Sequence, residues 1–304
     1  MNSRPAPETP RSHRAGTVAI VGRPNVGKST LLNRLVGCKL SITSSRPQTT
    51  RQRVTGIVTR PGAQILIIDT PGYQEEHDNA LNRAMNRSVA ASLAQVDAVI
   101  WVVEALKFDG RDERIGKMLP PGTAVVLAIN KTDVVKEKLQ LLPFIAEASA
   151  RRPFVSIIPI SAATGSQVEA LVEAIVPLLP EGPPLHEADE FTTASERFLA
   201  AELLREKLFQ QLGDELPYAA AVEIDRFRQE GTMRRIEATI LVDKENQKPI
   251  VIGRQGAKLK SIATRARRDM ERLFGGKVFL QVWVKVRRGW ADSDAGLRRM
   301  GYGE

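Results

Sequence analysis

Val18-Ala19-Ile20-Val21-Gly22-Arg23-Pro24-Asn25-Val26-Gly27-Lys28-Ser29 runs from an apolar stretch into a glycine-framed loop, and Leu31, Leu32 and Leu35 follow at helical spacing. The spacing G-x-x-x-x-G-K-S lets the backbone turn without Cβ clashes, so successive amides and the following helix N-terminus converge on an anion. It predicts a phosphate-binding loop. Lys28 then reaches the β- and γ-phosphates, Ser29 holds Mg²⁺, and Gly22, Arg23, Pro24, Asn25, Val26, Gly27 and Thr30 complete the cradle.

Outward from this loop, short apolar runs alternate with helical patterns. Strands are predicted near 17–22, 65–69, 97–103, 124–129 and 155–160, with helices near 28–36, 79–94, 110–118, 137–151 and 165–178. This is an α/β, doubly wound parallel sheet. A further strand at 53–59 precedes the Pro61-Gly62 turn and should pair antiparallel with 64–69.

Pro180-Glu181-Gly182-Pro183-Pro184 and the acidic stretch to Glu190 break the periodicity, so the expected division is a tail over 1–15, a first domain over 16–180, a linker over 181–194 and a second domain over 195–304. Ser195 can cap a helix with Phe198, Leu199, Leu203, Leu204, Leu208 and Leu212 on its apolar face. Alternating segments at 220–227 and 234–243, two helices around 258–274 and a strand from Val278 to Val286 give an α-β-β-α-α-β order.

Composition bounds the class. The 304 residues are 42% hydrophobic and 26% charged, and no apolar run approaches a membrane span, which excludes an integral membrane protein. Met1 to Ala15 has three prolines and no signal-peptide core, so a disordered tail and a cytoplasmic protein are expected. Cys38 stands alone as an ordinary thiol, and His13, His77 and His186 are too scattered for a metal site. The net charge of +9 sits in one place: Lys248 to Arg288 carries twelve basic and two acidic residues, leaving the rest of the chain near neutral. That concentration points to a polyanion-binding surface.

The base bound by the first domain is chosen by later motifs. Asn130-Lys131-Thr132-Asp133 follows an apolar strand at the sheet edge where doubly wound folds bind ligands. Asp133 can accept from guanine N1–H and its exocyclic amine, Lys131 lies over the base, Asn130 ties this loop to the phosphate loop, and Ser161-Ala162 offers an amide to guanine O6. Asp69-Thr70-Pro71-Gly72 ends another strand. There Asp69 serves Mg²⁺ and the Gly72 amide turns to the γ-phosphate. Between the two, Arg46-Pro47-Gln48-Thr49-Thr50-Arg51-Gln52-Arg53 supplies a threonine for the Mg²⁺ shell, Thr50 chosen over Thr49. Release on hydrolysis would make loops 44–53 and 70–80 a switch.

Tyr73 occupies the place where Ras-like enzymes carry a water-orienting glutamine, and Gln74 is one residue late. Slow intrinsic hydrolysis is expected. Asn25, with phosphate oxygens, could hold a K⁺ ion in compensation. Asn25, Lys28, Thr50 and Gly72 are thus the expected catalytic group.

In the second domain, Ile250-Val251-Ile252-Gly253-Arg254-Gln255-Gly256-Ala257-Lys258 places a G-x-x-G turn, read as lying between a strand and a helix, where backbone can approach single-stranded nucleic acid. Arg254, Gln255, Lys258, Lys260, Arg265 and Arg268 supply contacts around Gly253 and Gly256, and Ile250 to Ile252 form a groove floor. Single-stranded RNA is the natural ligand. Trp283 reads as core, and Trp290 as packing rather than base stacking.

These motifs, with Ile-Ser-Ala at 160–162 and Trp-Val-Lys-Val-Arg-Arg-Gly-Trp-Ala-Asp at 283–292, resemble the Era family of bacterial GTPases from Gly16 to Tyr302, the second domain being a type II KH domain. The resemblance implies GTP/GDP and Mg²⁺ as ligands, slow GTP hydrolysis, and binding to the 3′ end of 16S ribosomal RNA in 30S subunit assembly. It also implies a cytoplasmic protein with a peripheral inner-membrane fraction; a monomer is expected. A competing reading is an RNA placement factor whose nucleotide domain is a sensor that barely hydrolyses GTP without the ribosome.

Overall fold

The apolar runs of the first domain pair with one another in the computed structural model, which describes residues 13–43, 50–72, 80–213, 216 and 220–290. Strands β1 (Arg14–Val21), β2 (Val54–Arg60), β3 (Ala63–Asp69), β4 (Ala98–Glu104), β5 (Ala124–Asn130) and β6 (Ser156–Pro159) form one sheet in the order β2-β3-β1-β4-β5-β6. Only β2 is antiparallel to its neighbour, as expected of a hairpin closed at Gly62. Alternation within the strands sorts their side chains to two cores. Val18, Ile20, Ile65, Ile67, Ile100 and Val102 face helices α1 (Lys28–Val36) and α5 (Val168–Ile175). Ala19, Val21, Val99, Trp101 and Val103 face α2 (Ala80–Leu93), α3 (Gly110–Met118) and α4 (Leu141–Arg151). Both faces of the sheet are therefore covered, and the loops at the carboxyl ends of β1, β3, β5 and β6 are left to build a site.

Two boundaries differ from expectation. Strand β1 starts at Arg14 because Arg14 to Ile20 pair in register with Ala63 to Asp69, so His13 to Ala15 belong to the folded domain and not to the tail. Met1 to Ser12 lie outside the described residues. The stretch after Pro180 is strapped along the sheet edge: Ile57 N donates to Phe191 O at 2.9 Å, Thr192 Oγ1 to Thr55 O at 2.6 Å, and the buried Gln64 Oε1 accepts from the Leu185 and His186 amides. Only the few residues after Thr192 are left to act as a joint.

The second domain opens on α6 (Glu196–Gln211), whose first turn is capped by Ser195 Oγ accepting from Phe198 N at 3.2 Å. Strands β7 (Ala220–Glu230), β8 (Met233–Val242) and β9 (Lys277–Val286) form a sheet in that order, β7 antiparallel and β9 parallel to β8. Helices α7 (Lys248–Ile252) and α8 (Ala257–Phe274) intervene. Residues 250–252 are thus helical, not the strand expected before the G-x-x-G turn; Pro249 in the first turn suits a helix start. Ile236, Ala238 and Ile240 pack on Leu204, Leu208, Ile262 and Ala266 in the core of this domain. Trp283 departs from expectation. It stands on the outer face of β9 with 38% of its surface exposed.

Between the domains, Ala80, Leu81 and Met85 of α2 bury against Ala221, Leu241 and Trp290. Trp290 is only 2% exposed, so it packs, as expected, and does not stack on bases.

Candidate nucleotide and nucleic-acid sites

At the end of β1 the chain reverses through Gly22 and Gly27 and enters α1 at Lys28. Gly27 has φ 102, and a Cβ there would lie 2.3 Å from Asn130 Nδ2. The glycine is required by conformation and by space alike. Asn130 Nδ2 donates to Val26 O at 2.7 Å, so the base-reading loop is tied to the phosphate loop as the sequence suggested. Lys28 Nζ donates to the carbonyls of Gly22 and Arg23 at 2.8 and 3.0 Å. Burial pushes its ammonium down to about 8 against the pull of Asp69. Asn25 sits exposed at the loop apex with φ 64.

Arg23 was expected in the cradle, but its guanidinium turns to α3, with Nε donating to the fully buried Asp112 at 3.1 Å. Only its backbone therefore remains in the loop. Asp112 also closes a capping box with Asp109 at the start of α3, which explains how a carboxylate comes to wait there.

Three segments far apart in sequence meet at Asp69. Its Oδ2 accepts from Ser29 Oγ at 2.7 Å, from Ser41 Oγ at 2.7 Å and from Thr50 Oγ1 at 3.5 Å, while Ser29 and Thr50 share a hydrogen bond of 2.8 Å. Asp69 is fully buried, and among the described residues its Oδ1 has no hydrogen-bond partner. Burial raises this carboxyl above the ordinary carboxylate range although Lys28 opposes the shift. A buried carboxylate oxygen without a donor, next to two hydroxyls, is a hard-oxygen set that fits Mg²⁺. Ser41 was not singled out from the sequence; nothing local marks it, since it reaches Asp69 only through the fold.

Thr70 Oγ1 donates to Ile20 O at 2.8 Å, holding the chain after β3 against β1. Pro71 is buried, and a Cβ on Gly72 would meet Pro24 Cγ at 3.0 Å. The Gly72 backbone thus lies against Pro24 of the glycine loop. Tyr73, Gln74 and Thr49 lie outside the described residues.

At the base-reading end, Asp133 is exposed and its Oδ1 accepts from Ser161 Oγ at 2.6 Å. Thr132 Oγ1 donates to Ile160 O at 2.9 Å. Lys131 is held in the left-handed region at φ 66, and its ammonium pairs with Glu104 at 2.7 Å. Although burial works against it, Lys107 and Lys131 hold the Glu104 carboxyl below its usual range. The Ala162 amide, expected for guanine O6, donates to Asn130 Oδ1 at 2.9 Å, so a base carbonyl there would share that donor. Thr30 lines an open cavity of about 510 Å³ with Arg34, Cys38, Thr43 and Ala162, which joins α1 to the base loop.

In the second domain Gly253 (φ 73), Gln255 (φ 51) and Gly256 (φ 77) form a tight turn between α7 and α8. A Cβ on Gly253 would lie 2.6 Å from Lys258 Cβ, so the turn folds back on the first residues of α8. Arg254, Gln255, Lys260, Arg265 and Arg268 are exposed and Lys258 is half-buried, a basic rim around bare backbone. Val251 is fully buried, which leaves Ile250 and Ile252 as the apolar residues at the surface of the expected groove.

Residues 17–131 match the family model described as a 50S ribosome-binding GTPase, and 215–291 match the KH domain. GTPase Era of Nitrosomonas eutropha is 52% identical over 290 residues, 95% of this chain and 98% of that one. GTPase Era of Chromobacterium violaceum is 54% identical over 286 residues, 94% and 97% of the two chains. Two solved structures, a point variant of Aquifex aeolicus Era bound to GDP·AlF4⁻ and Era in complex with MgGDPNP and nucleotides 1506–1542 of 16S ribosomal RNA, superpose with TM-scores of 0.92. Each is 40% identical and covers 96% of this chain and 100% of its own. With the glycine loop at 22–29, the Asn130–Asp133 loop and the Gly253–Gly256 turn joined in this order and at this identity, the chain belongs to the Era family of GTPases.

Proposed function

We propose that this GTPase is a switch that binds the 3′ end of 16S ribosomal RNA and assists assembly of the 30S subunit. Residues 14–192 act as the nucleotide domain, the few residues after Thr192 as the connection and 195–304 as the RNA-binding domain. Lys28 and the amides of the phosphate loop hold the phosphates, Asp133 and Ser161-Ala162 select guanine, and Ser29, Thr50 and Asp69 hold Mg²⁺. The metal, when bound, would neutralise charge on the β- and γ-phosphates. Asn25, exposed at the apex of the loop, takes a K⁺ ion in place of a catalytic glutamine. The Gly253–Gly256 turn and the basic rim bind single-stranded RNA. The protein works as a monomer in the cytoplasm with a peripheral inner-membrane fraction; among the described residues no helix is long and apolar enough to cross a membrane.

One observation carries this reading: both domains and their mutual placement follow, at a TM-score of 0.92, an Era solved with MgGDPNP and that RNA. Crosslinking the protein to RNA in cells and sequencing the captured fragments tests it. Reads should gather at the 3′ end of 16S RNA; reads spread over messenger or transfer RNA would overturn it. Tyr73 in place of glutamine favours the second reading, a placement factor with a sensor domain. Single-turnover hydrolysis with and without 30S precursor separates the two, since a sensor turns over only in its presence.

A further inference from the structure

Arg51, the residue after Thr50, belongs to the nucleotide domain by sequence but is enclosed by the KH domain. It is 2% exposed. Its Nη1 donates to Ala220 O at the start of β7 at 3.1 Å. Its guanidinium lies 5.9 Å from the ring centroid of Phe209 on α6 and 5.7 Å from that of Trp290. A planar, weakly hydrated cation between two rings is a seat that only arginine fills well.

The same face of α6 grips the nucleotide domain a second time. Glu206, fully buried and one turn before Phe209, accepts from Thr43 N at 3.0 Å and pairs with Lys39 at 2.5 Å. Trp290 in turn packs on Ala80, Leu81 and Met85 of α2, so Arg51 and α2 meet on the same ring. Consecutive Cα atoms are about 3.8 Å apart. Arg51 directly follows Thr50, so any shift of its backbone as it seats is passed to Thr50, whose hydroxyl stands 2.8 Å from Ser29 Oγ at the metal-binding oxygens.

We propose that Arg51 is a positioning residue: its dock between Phe209 and Trp290 sets the place of Thr50, so that ligation by Thr50 and the seating of the KH domain rise and fall together. This rests on the reading of the protein as a GTP-controlled RNA binder. It assigns the control to one side chain, with Glu206 as the fixed point beside it.

The test uses the full chain, an oligonucleotide of the 16S 3′ end, and saturating Mg²⁺ with either GDP or a non-hydrolysable GTP analogue. The ratio of the two RNA dissociation constants is the coupling factor. For Arg51→Ala and, from the other side, Phe209→Leu, the factor should fall at least about fivefold toward one. GDP affinity and RNA affinity in the GDP state should stay within about twofold, changes too small to count as coupling. Arg51→Lys should not restore it, because an ammonium lacks the broad guanidinium that meets both rings and the Ala220 carbonyl at once. The double variant should lose no more than either single one. If one variant fails to bind GDP stoichiometrically, the other decides. A wild-type factor other than one that both variants retain overturns the role of Arg51 and leaves the switch standing; a wild-type factor of one overturns both.

Discussion

Thr50 Oγ1 lies 2.8 Å from Ser29 Oγ, although the two residues belong to segments 21 positions apart. Asp69, from a third segment, accepts from both. A threonine that must come to a metal from outside the phosphate loop can report whether the γ-phosphate is there. Thr50→Ala should weaken the Mg²⁺ complex of a GTP analogue at least about tenfold while leaving GDP nearly untouched. Titration with fluorescent nucleotides checks this, and equal losses for the two nucleotides would remove Thr50 from the metal shell.

Gly27 holds φ 102 against Asn130. Gly27→Ala should cost about 2 kcal/mol in folding stability from backbone strain alone. It should also break the Asn130 to Val26 hydrogen bond, so guanine-nucleotide affinity falls with it. Denaturant unfolding and nucleotide titration measure the two losses separately.

Asp133 offers an acceptor pair suited to guanine. Asp133→Asn should move preference from guanine toward xanthine by about a hundredfold or more, since the amide supplies a donor for the xanthine oxygen. Competition between GTP and XTP reads the shift. Retained guanine preference would refute the assignment.

Lys258 stands beside the G-x-x-G turn. Lys258→Ala should lower RNA affinity and reduce the slope of log affinity against log salt by less than about one unit. A binding isotherm series in KCl decides it.

Asp269 on α8 faces Lys207 and, across the domain boundary, Lys39 at 3.2 Å. Although burial works against the charge, these ammoniums hold its carboxyl below the ordinary range. A depressed carboxylate contributes stability above its unfolded pKa of about 3.9 and loses it as pH falls through the folded value. Asp269→Asn should therefore unfold at lower urea than wild type at pH 7, with the gap closing as the pH falls below the ordinary aspartate range.

What could be read from sequence alone was what is local. The strand, turn and helix around Gly22 to Ser29 declare themselves within a dozen residues, and Asn130 and Asp133 follow an equally plain apolar run. The antiparallel β2 was readable because Pro61-Gly62 leaves only a tight hairpin. Ile250 to Ile252 misled, since three apolar residues fit a strand or one turn of helix equally. Trp283 misled because its apolar type outweighed its position: alternation along β9 puts it with Lys277, Gln281 and Lys285, opposite the Val278, Leu280, Val282 and Val284 that pack in the core. Ser41 carries no local mark at all, and what is local to Asp112 and Glu206, a capping box with Asp109 and a pair with Lys207, does not foretell their contacts with Arg23 and Thr43; those partners, like Asp69 for Ser41, come from segments at least 28 positions away.

The central claim is that GTP and RNA bind this chain as coupled ligands. Linkage requires the effect to be mutual: if GTP tightens RNA, saturating RNA tightens GTP by the same factor. The direct measurement is the dissociation constant of a Mg²⁺-bound GTP analogue with and without the 16S 3′-end oligonucleotide. It should be lowered by RNA to the degree that the analogue lowers the dissociation constant for RNA; nucleotide affinity unchanged by saturating RNA would contradict the claim.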